Sequence, residues 1–528
     1  MGGWDAPEAP YFVFADGSPE QRQALMKEGV LSWWTAEGFK LAFWRPVSDA
    51  THKVDDLLFA ESSVLIHLHS LLWFILLLGA LSRLYSRLHA PRVALLALSI
   101  YALDDARGMV LSFASNRNAL IAAFFATCTL IVHDKWRRDE WRAGRLLGPL
   151  LLVVALLSGE IAIATCAFLF AYALFIDEKA PKERIASLLP YALLTFTWLA
   201  LYRTQGYGSA GSGIYVHPLA DPLLFLAKLS ERLPILFMSQ VGGLTSDLWL
   251  LYPPNIKGAV WGFALVLMLG TLTLLTPLLK TRRRLAFWVS ASMLSFVPVC
   301  ATFANDRLLV MTSIGAAGAI ALVMNEALNV ATSRWLRRSV SILVVLHLIL
   351  SPLALPLRAL TMNGLDVLNR SVDHAIPEDP SIEAKTLVIP QALSDASVCY
   401  IPITRAAERR ARPQALRLLS SGYQALDITR IDAYTLLLEP EEGFYSSEGE
   451  QMTRSPALPF TQGSLVSLNN MRVKVVRVNS EGRPMSAEFK FTSPLESDAW
   501  HWMHFVEGVL KEWTPPDIGE RVTMPPLL

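Results

Sequence analysis

Cysteine is scarce in this chain of 528 residues: Cys128, Cys166, Cys300 and Cys399 are all there are, with no CxxC spacing among them. A disulfide framework and a cysteine-built metal centre are therefore excluded. The first three fall inside apolar runs, where a thiol behaves as a small buried hydrophobe. A surplus of charge of one sign is also missing, with 47 Lys and Arg against 46 Asp and Glu. That leaves no basic field for nucleic acid, which is not expected as a partner. Charged residues make up only 18% of the chain, hydrophobic residues 53%, and the mean hydropathy is +0.37. Such a balance excludes a set of ordinary soluble domains and leaves a membrane protein. No internal repeat or low-complexity linker is visible. The glycine-rich stretch 206–213 lacks the Lys-Ser/Thr that completes a phosphate loop, and reads as a flexible outer loop.

What is present is long apolar runs. A membrane-spanning helix needs about 20 apolar residues, and runs near that length occur at 62–86, 116–133, 185–203, 258–279, 285–303, 307–327 and 338–358. The run 92–103 is shorter. Residues 146–176 suffice for two passes interrupted by Ser158-Gly159-Glu160, which brings the expected total to about ten spans. The loops 83–92, 135–145, 179–184, 280–284 and 334–338 are all basic and alternate with loops that are not. Clustered positive charge stays in the cytoplasm, so these five loops are expected there. The connections 104–115, 158–160, 204–257 and 304–306, and both ends of the chain, are then expected outside. Residues 1–61 are polar and have no apolar leader before them. Either this segment crosses unaided, or the reading frame starts late and lacks a first helix; the second is the expectation.

From about Asp366 short alternating segments replace the apolar runs, at 386–390, 398–403, 435–438, 472–478 and 486–491. They predict a β-rich domain. In 471–478, Val473 and Val475 face inward. The expected fold is mainly α, a polytopic membrane helix bundle with a C-terminal extracytoplasmic β-rich domain. Its expected division is an outer-face N-terminal segment at 1–61, a transmembrane domain at 62–360 and the β-rich domain at 361–528. The host membrane is expected to be a bacterial inner membrane, with the lipid bilayer as partner.

Residues able to carry chemistry gather at the expected outer face. Trp33-Trp34-Thr35 and Phe43-Trp44-Arg45 read as interface anchors, or, for Arg45 beside Asp49, Asp55 and Asp56, as the mouth of a cavity where an Arg clamps a phosphate. His67 and His69 are two apart and cannot share a helix face, which disfavours a joint metal site. Asp104 and Asp105 suit a divalent metal or a general base, or a helix cap with an ion pair to Arg107. Glu160 lies between apolar runs, where an ionised carboxylate is costly unless it meets water, a partner or a substrate cavity. Asp306 and Arg307 place an acid and a base at the outer end of a helix. Residues 221–240 read as an amphipathic helix along the outer interface.

Four segments in order resemble one family. Phe43-Trp-Arg-Pro-Val-Ser48 followed by His67 and His69 is similar to the family's "YRPL…H…NLLLH" start, and Ser115-Asn-Arg-Asn-Ala-Leu120 to its "SGRKDLL". Leu157-Ser-Gly-Glu160 is similar to its "LSKE", and Asn305-Asp-Arg-Leu-Leu-Val-Met-Thr-Ser-Ile-Gly315 to its "ERYLYLPSIG". The family is the GT-C class of integral membrane glycosyltransferases, in particular the dolichyl-phosphate-mannose protein mannosyltransferase branch. The resemblance implies a helical membrane domain that takes a sugar from a polyprenyl phosphate at the outer face and gives it to a protein or lipid. It implies an acidic base, charged residues at the lipid phosphate, and a divalent metal there. Arg45, Glu160 and Arg307 match motif positions, and Arg117 matches a basic one. The family's acidic pair after its first helix has no clear counterpart, and the tail is β-rich where the family has helical repeats.

The resulting expectation is a polyprenyl-phosphate-sugar transferase. Its candidate catalytic acids are Asp49, Asp104, Asp105, Glu160 and Asp306, and its candidate substrate-binding residues are Arg45, Arg117 and Arg307. The alternatives are a non-catalytic protein assisting envelope glycan or lipid assembly, and a transporter. Against the transporter stands charge concentrated at one face.

Overall fold

The computed structural model describes residues 12–59, 62–327, 334–422 and 424–527. The first eleven residues, on which the question of a missing leading helix turns, lie outside the described residues. Two helices precede the membrane part, α1 (Pro19–Glu28) and α2 (Pro46–Leu58). The membrane part begins with α3 (Ser63–Leu88), α4 (Pro91–Ala102), α5 (Arg107–Ser112) and α6 (Arg117–Arg138). It continues through α7 (Gly144–Leu156), α8 (Thr165–Phe175), α9 (Pro181–Thr204) and α10 (Pro222–Gly242). It ends with α11 (Pro254–Thr281), α12 (Arg283–Val299), α13 (Thr312–Glu326), α14 (Arg334–Val345) and α15 (Ser351–His374). A π turn, Leu346–Leu350, joins α14 to α15.

Local signals set the helix starts. Ser62 caps α3 by accepting from the Leu65 amide, and Pro91 and Pro181 open α4 and α9, where a missing N–H costs nothing. Ser158-Gly159-Glu160 ends α7 and leads through a 3-10 turn, Glu160–Ala164, into α8. Five helices are long and apolar enough to cross a membrane: Ser63–Leu88, Ala114–Arg138, Pro181–Thr204, Asn255–Thr281 and Arg337–Thr361. Length and composition therefore give five among the described residues where about ten were expected. The 12 residues of α4 rise only about 18 Å against a hydrocarbon core of about 30 Å, so α4 relies on longer neighbours for cover.

Side-chain pairs sort the connections onto two ends. Arg87 meets Asp134 and Asp139, Arg137 meets Asp177, and Lys179 meets Glu140, which gathers three of the basic loops at one end. At the other, Ser48 donates to Ser158 O, the Asp105 amide donates to Ser351, and Arg358 bridges Asp247 and Asp306. The C-terminal half of α10 does not stay on the surface: Ile235, Leu236, Phe237 and Met238 are buried against α11 and α12. The expected surface helix is amphipathic only in its first half, where Leu223 and Leu226 stay exposed.

The tail is β-rich. Strands β1 (Val13–Asp16), β2 (Lys40–Ala42) and β3 (Gly208–Ala210) form a small antiparallel sheet ahead of it. In the tail, β4 (Thr386–Ala392), α16 (Ala396–Ala407) and β5 (Ala415–Ser421) make a parallel crossover unit. The expected strand at 398–403 is thus helix. Val398, Ile401 and Arg405 are buried three and four residues apart, a helical spacing, and parallel neighbours need a crossover of this length. Then follow β6 (Leu426–Arg430), β7 (Thr435–Pro440), β8 (Leu465–Leu468), β9 (Met471–Val478), β10 (Pro484–Phe491), β11 (Trp500–Val506), β12 (Val509–Glu512) and β13 (Arg521–Met524). The order is β12-β11-β4-β5 in one sheet and β13-β6-β7-β10-β9-β8 in the other.

Residues before α2 share this tail's core. Trp33 and Trp34 are buried with Leu418, Leu436, Val473 and Phe489, and Trp33 Nε1 donates to Leu419 O at 2.9 Å. The pair therefore anchors to protein and not to the bilayer, because the sheets offer aromatic edges at Phe444 and Phe489. Trp33→Ala is expected to cost the β-rich unit about 3–5 kcal/mol, read as earlier thermal unfolding and faster proteolysis of the tail. An unchanged transition would contradict the shared core.

Candidate functional site

Four carboxylates converge at the end opposite the basic loops. Asp104 and Asp105 come from the turn between α4 and α5, Asp247 from the segment after α10, and Asp306 from the turn between α12 and α13. Two close fits bring them together. Gly108 lets α5 press on α15, since a Cβ there would stand 2.7 Å from Arg358 Cβ. Gly243 at φ +67° ends α10 and turns the chain toward Asp247.

Arg358 sits at the centre. Its Nη2 donates to Asp247 at 2.6 Å and to Asp306 at 2.9 Å, and its Nη1 lies 3.9 Å from Asp105. Asp306 is 2% exposed and saturated: Oδ1 accepts from Ser239 and Ser246 hydroxyls and the Ser246 amide, Oδ2 from Thr245 and Arg358. A carboxylate so occupied has no lone pair left for a substrate proton, so Asp306 positions its neighbours. Asp105 differs. Its Oδ1 accepts from Ser351 at 2.8 Å, and its Oδ2 takes no hydrogen bond among the described residues. Burial, then the adjacent Asp104 charge, raises the Asp105 carboxyl above its ordinary value. Burial and Asp306 do the same to Asp247.

Beneath this layer Asp104 accepts from Gln240 Nε2 at 3.3 Å, while Gln240 Oε1 meets the Ser313 hydroxyl at 2.7 Å. The buried Arg107 donates to Ser313 through Nη2, packs over Tyr101 and leaves Nε and Nη1 without partners. Gln240 also lines an apolar cavity of about 220 Å³ between α10, α11, α12, α13 and α14, walled by Leu267, Leu275, Phe296, Ile320 and Leu343.

A second cluster lies along α2. Arg117, fully buried, donates to Asp55 at 2.5 Å, to Ser70 at 3.0 Å and to Ile66 O at 2.9 Å. His69 Nδ1 stands 2.6 Å from Asp55, and Trp73 Nε1 donates to His69 Nε2 at 3.2 Å. Indole only donates, so Nε2 is the acceptor there, while Nδ1 lies between Asp55 and Arg117 Nη1, the latter at 3.2 Å. At the start of α2, Arg45 closes on Glu160 through Nε at 2.8 Å and Nη2 at 2.7 Å, with Tyr202 donating to the other Glu160 oxygen at 3.1 Å.

The structure thus brings Asp104, Asp105 and Asp306 together, pairs Arg45 with Glu160 and pairs Arg117 with Asp55. Asp49 pairs with Lys53 on its own helix at 2.9 Å. Arg307 is half-buried with its guanidinium 5.7 Å from the Phe303 ring centre; it forms no salt bridge among the described residues, though its charge reaches Asp247. Sequence reading missed Asp247, Gln240 and Arg358. The polar run Ser239 to Asp247 amid apolar neighbours was a usable signal, and so was an Arg near the end of the last apolar run. The implied metal is not accommodated. Among the described residues no three His, Cys, Asp or Glu groups are placed to hold an ion, and a guanidinium fills the centre of the acids.

No family model and no curated protein matches the chain. Among solved structures it is similar to the Archaeoglobus fulgidus oligosaccharyltransferase tethered to an acceptor peptide containing the NVT sequon, with a TM-score of 0.39 and 11% identity over 78% of this chain and 57% of that one. It is similar to the oligosaccharyltransferase AglB from the same organism in complex with an inhibitory peptide and a dolichol-phosphate, with a TM-score of 0.37 and 13% identity over 77% and 62%. It is similar to ArnT from Cupriavidus metallidurans bound to undecaprenyl phosphate, with a TM-score of 0.34 and 13% identity over 76% and 85%. The chain spans less than two thirds of the length of the oligosaccharyltransferases.

Proposed function

We propose that this chain transfers a sugar from a polyprenyl-phosphate donor to an acceptor hydroxyl at the end of the bundle opposite the basic loops. The observation that carries the reading is Asp105, whose Oδ2 takes no hydrogen bond among the described residues, beside Asp104, which Gln240 joins to an apolar cavity. In this reading Asp105 takes the acceptor proton as the acceptor oxygen bonds to the anomeric carbon. The bond from that carbon to the phosphate oxygen breaks, and the polyprenyl phosphate leaves with the electron pair. Arg307, next to Asp306 in the chain and in no salt bridge among the described residues, stabilises the departing phosphate. Arg117, tied to Asp55, Ser70 and Ile66, holds α3 and α6 to α2 and is not free to bind donor.

Arg307→Gln tests the phosphate role. A charged hydrogen bond is worth about 1.5–3 kcal/mol, so the donor KM is expected to rise roughly 10- to 100-fold with a smaller change in kcat. A KM unchanged for the donor would remove Arg307 from the site.

The reading places the acid cluster and the β-rich unit outside a bacterial inner membrane, with the basic loops in the cytoplasm. Arg142 and Gln462 are exposed, one in a basic loop and one in the tail. In intact cells, an impermeant thiol reagent is expected to label Gln462→Cys and not Arg142→Cys. The reverse pattern would invert the orientation.

One observation favours a non-catalytic role in envelope glycan or lipid assembly: Arg358 already neutralises the acids that a transferase would aim at its substrate. That reading predicts donor binding without turnover.

A further inference from the structure

A second cavity, of about 820 Å³, opens in the outer unit among α1, the start of β5, the segment before β8 and β8 itself. It owes nothing to the acid cluster. Four cations line it, Arg22, Lys27, Arg417 and Arg454, against one acid, Glu37. None of the four arginine and lysine side chains forms a salt bridge among the described residues. Two of them are at least nine-tenths buried, Arg417 at 2% exposure and Arg454 at 8%.

A buried guanidinium normally meets a carboxylate, because desolvation is otherwise uncompensated. Arg417 instead caps the end of α1, donating through Nη1 to Met26 O and Lys27 O, and through Nε to Asn470. Its Nη2 has no hydrogen-bond partner among the described residues, and neither has Arg22 Nε. Arg454 lies over the Phe460 ring at 3.9 Å and donates to Leu458 O. Burial alone pulls Arg417 down to about 10, which leaves it charged at neutral pH. The remaining lining is hydroxyl and amide: Thr35, Ser464, Ser467, Gln23 and Asn469. Structural capping explains the Arg417 contacts, and carbonyls of Trp34, Leu458 and Thr35 take donors of Arg454 and Arg22, but four cations still face one acid, Glu37, in a cavity of this size.

We infer that this cavity binds an oxyanion carried on a hydroxylated body, the chemistry shared by acidic saccharides and sugar phosphates. The guanidinium groups of Arg22, Arg417 and Arg454 take the phosphate or carboxylate, and the Ser, Thr and amide side chains take the hydroxyls. The site is independent of the transferase reading, since its residues lie in the outer unit and touch none of the acid cluster.

The test is isothermal titration of the full chain in detergent with inorganic pyrophosphate, a galacturonate trisaccharide and the neutral maltotriose. At least one anion is expected to bind, more weakly as salt rises, while maltotriose does not. Arg22→Gln with Lys27→Gln, which leaves the Arg417 cap in place, is expected to weaken that binding at least tenfold. Pyrophosphate binding alone assigns a phosphate ligand, and galacturonate binding alone a uronate one. Binding of neither anion, or equal binding by the double variant, overturns the inference. Asp105→Asn binds as the wild type does, so failure here and failure of the transferase reading are separable.

Discussion

Asp105→Asn is expected to lower sugar transfer by roughly 10²- to 10⁴-fold, the span a positioned general base contributes. The amide keeps the size of the side chain and still accepts from Ser351, so packing of α5 against α15 is retained. What is lost is the ability to take the acceptor proton. Donor binding is expected to survive, which places the loss in kcat. The pH profile carries a second signature. A base works ionised, and burial beside Asp104 raises the carboxyl of Asp105. Wild-type transfer is therefore expected to fall as pH drops through a midpoint above the ordinary carboxylate range, and the residual activity of Asp105→Asn is expected to lack that limb. A variant with wild-type kcat and the same limb would assign the base elsewhere.

Asp306→Ala is expected to remove about 3–5 kcal/mol of stability, the cost of breaking a buried charge pair and stranding its partners. The Ser239 and Ser246 hydroxyls, the Ser246 amide and Thr245 lose this acceptor, and Arg358 Nη2 is left with Asp247 alone. Thermal unfolding in detergent reads this directly. Residual transfer, if the variant is assayed below its transition, keeps a pH limb. That limb moves to lower pH, because the Asp306 charge no longer opposes ionisation of Asp105. An Asp306 variant that kept its stability and lost the limb would make Asp306 the base and Asp105 a neighbour.

The broad plan was readable because apolar length and basic loops are strong signals. Three of the five basic loops meet through ion pairs at one end, and Val473 and Val475 point inward from β9. Three of the cluster's four acids were legible as charges beside apolar runs. The fourth, Asp247, lies in a long connection where an acid is unremarkable until Gly243 turns it toward Asp306. Arg358 was hidden for a different reason: it looked like the end of a span, and only packing against Gly108 shows that it faces inward. Trp33 and Trp34 were misread because a bilayer edge and a protein core make the same demand on an aromatic side chain. Residues 398–403 were misread because a short apolar segment of a crossover helix does not differ from a strand over six positions.

The measurement that tests the central claim most directly is native mass spectrometry of the full chain with an undecaprenyl-phosphate-linked sugar and with the neutral polyprenol of equal length. The account predicts one donor per chain in the wild type and in Asp105→Asn alike, a weaker complex with Arg307→Gln, and little retention of the polyprenol. Equal retention of donor and polyprenol, or no retention of either, would contradict a donor site at the acid cluster.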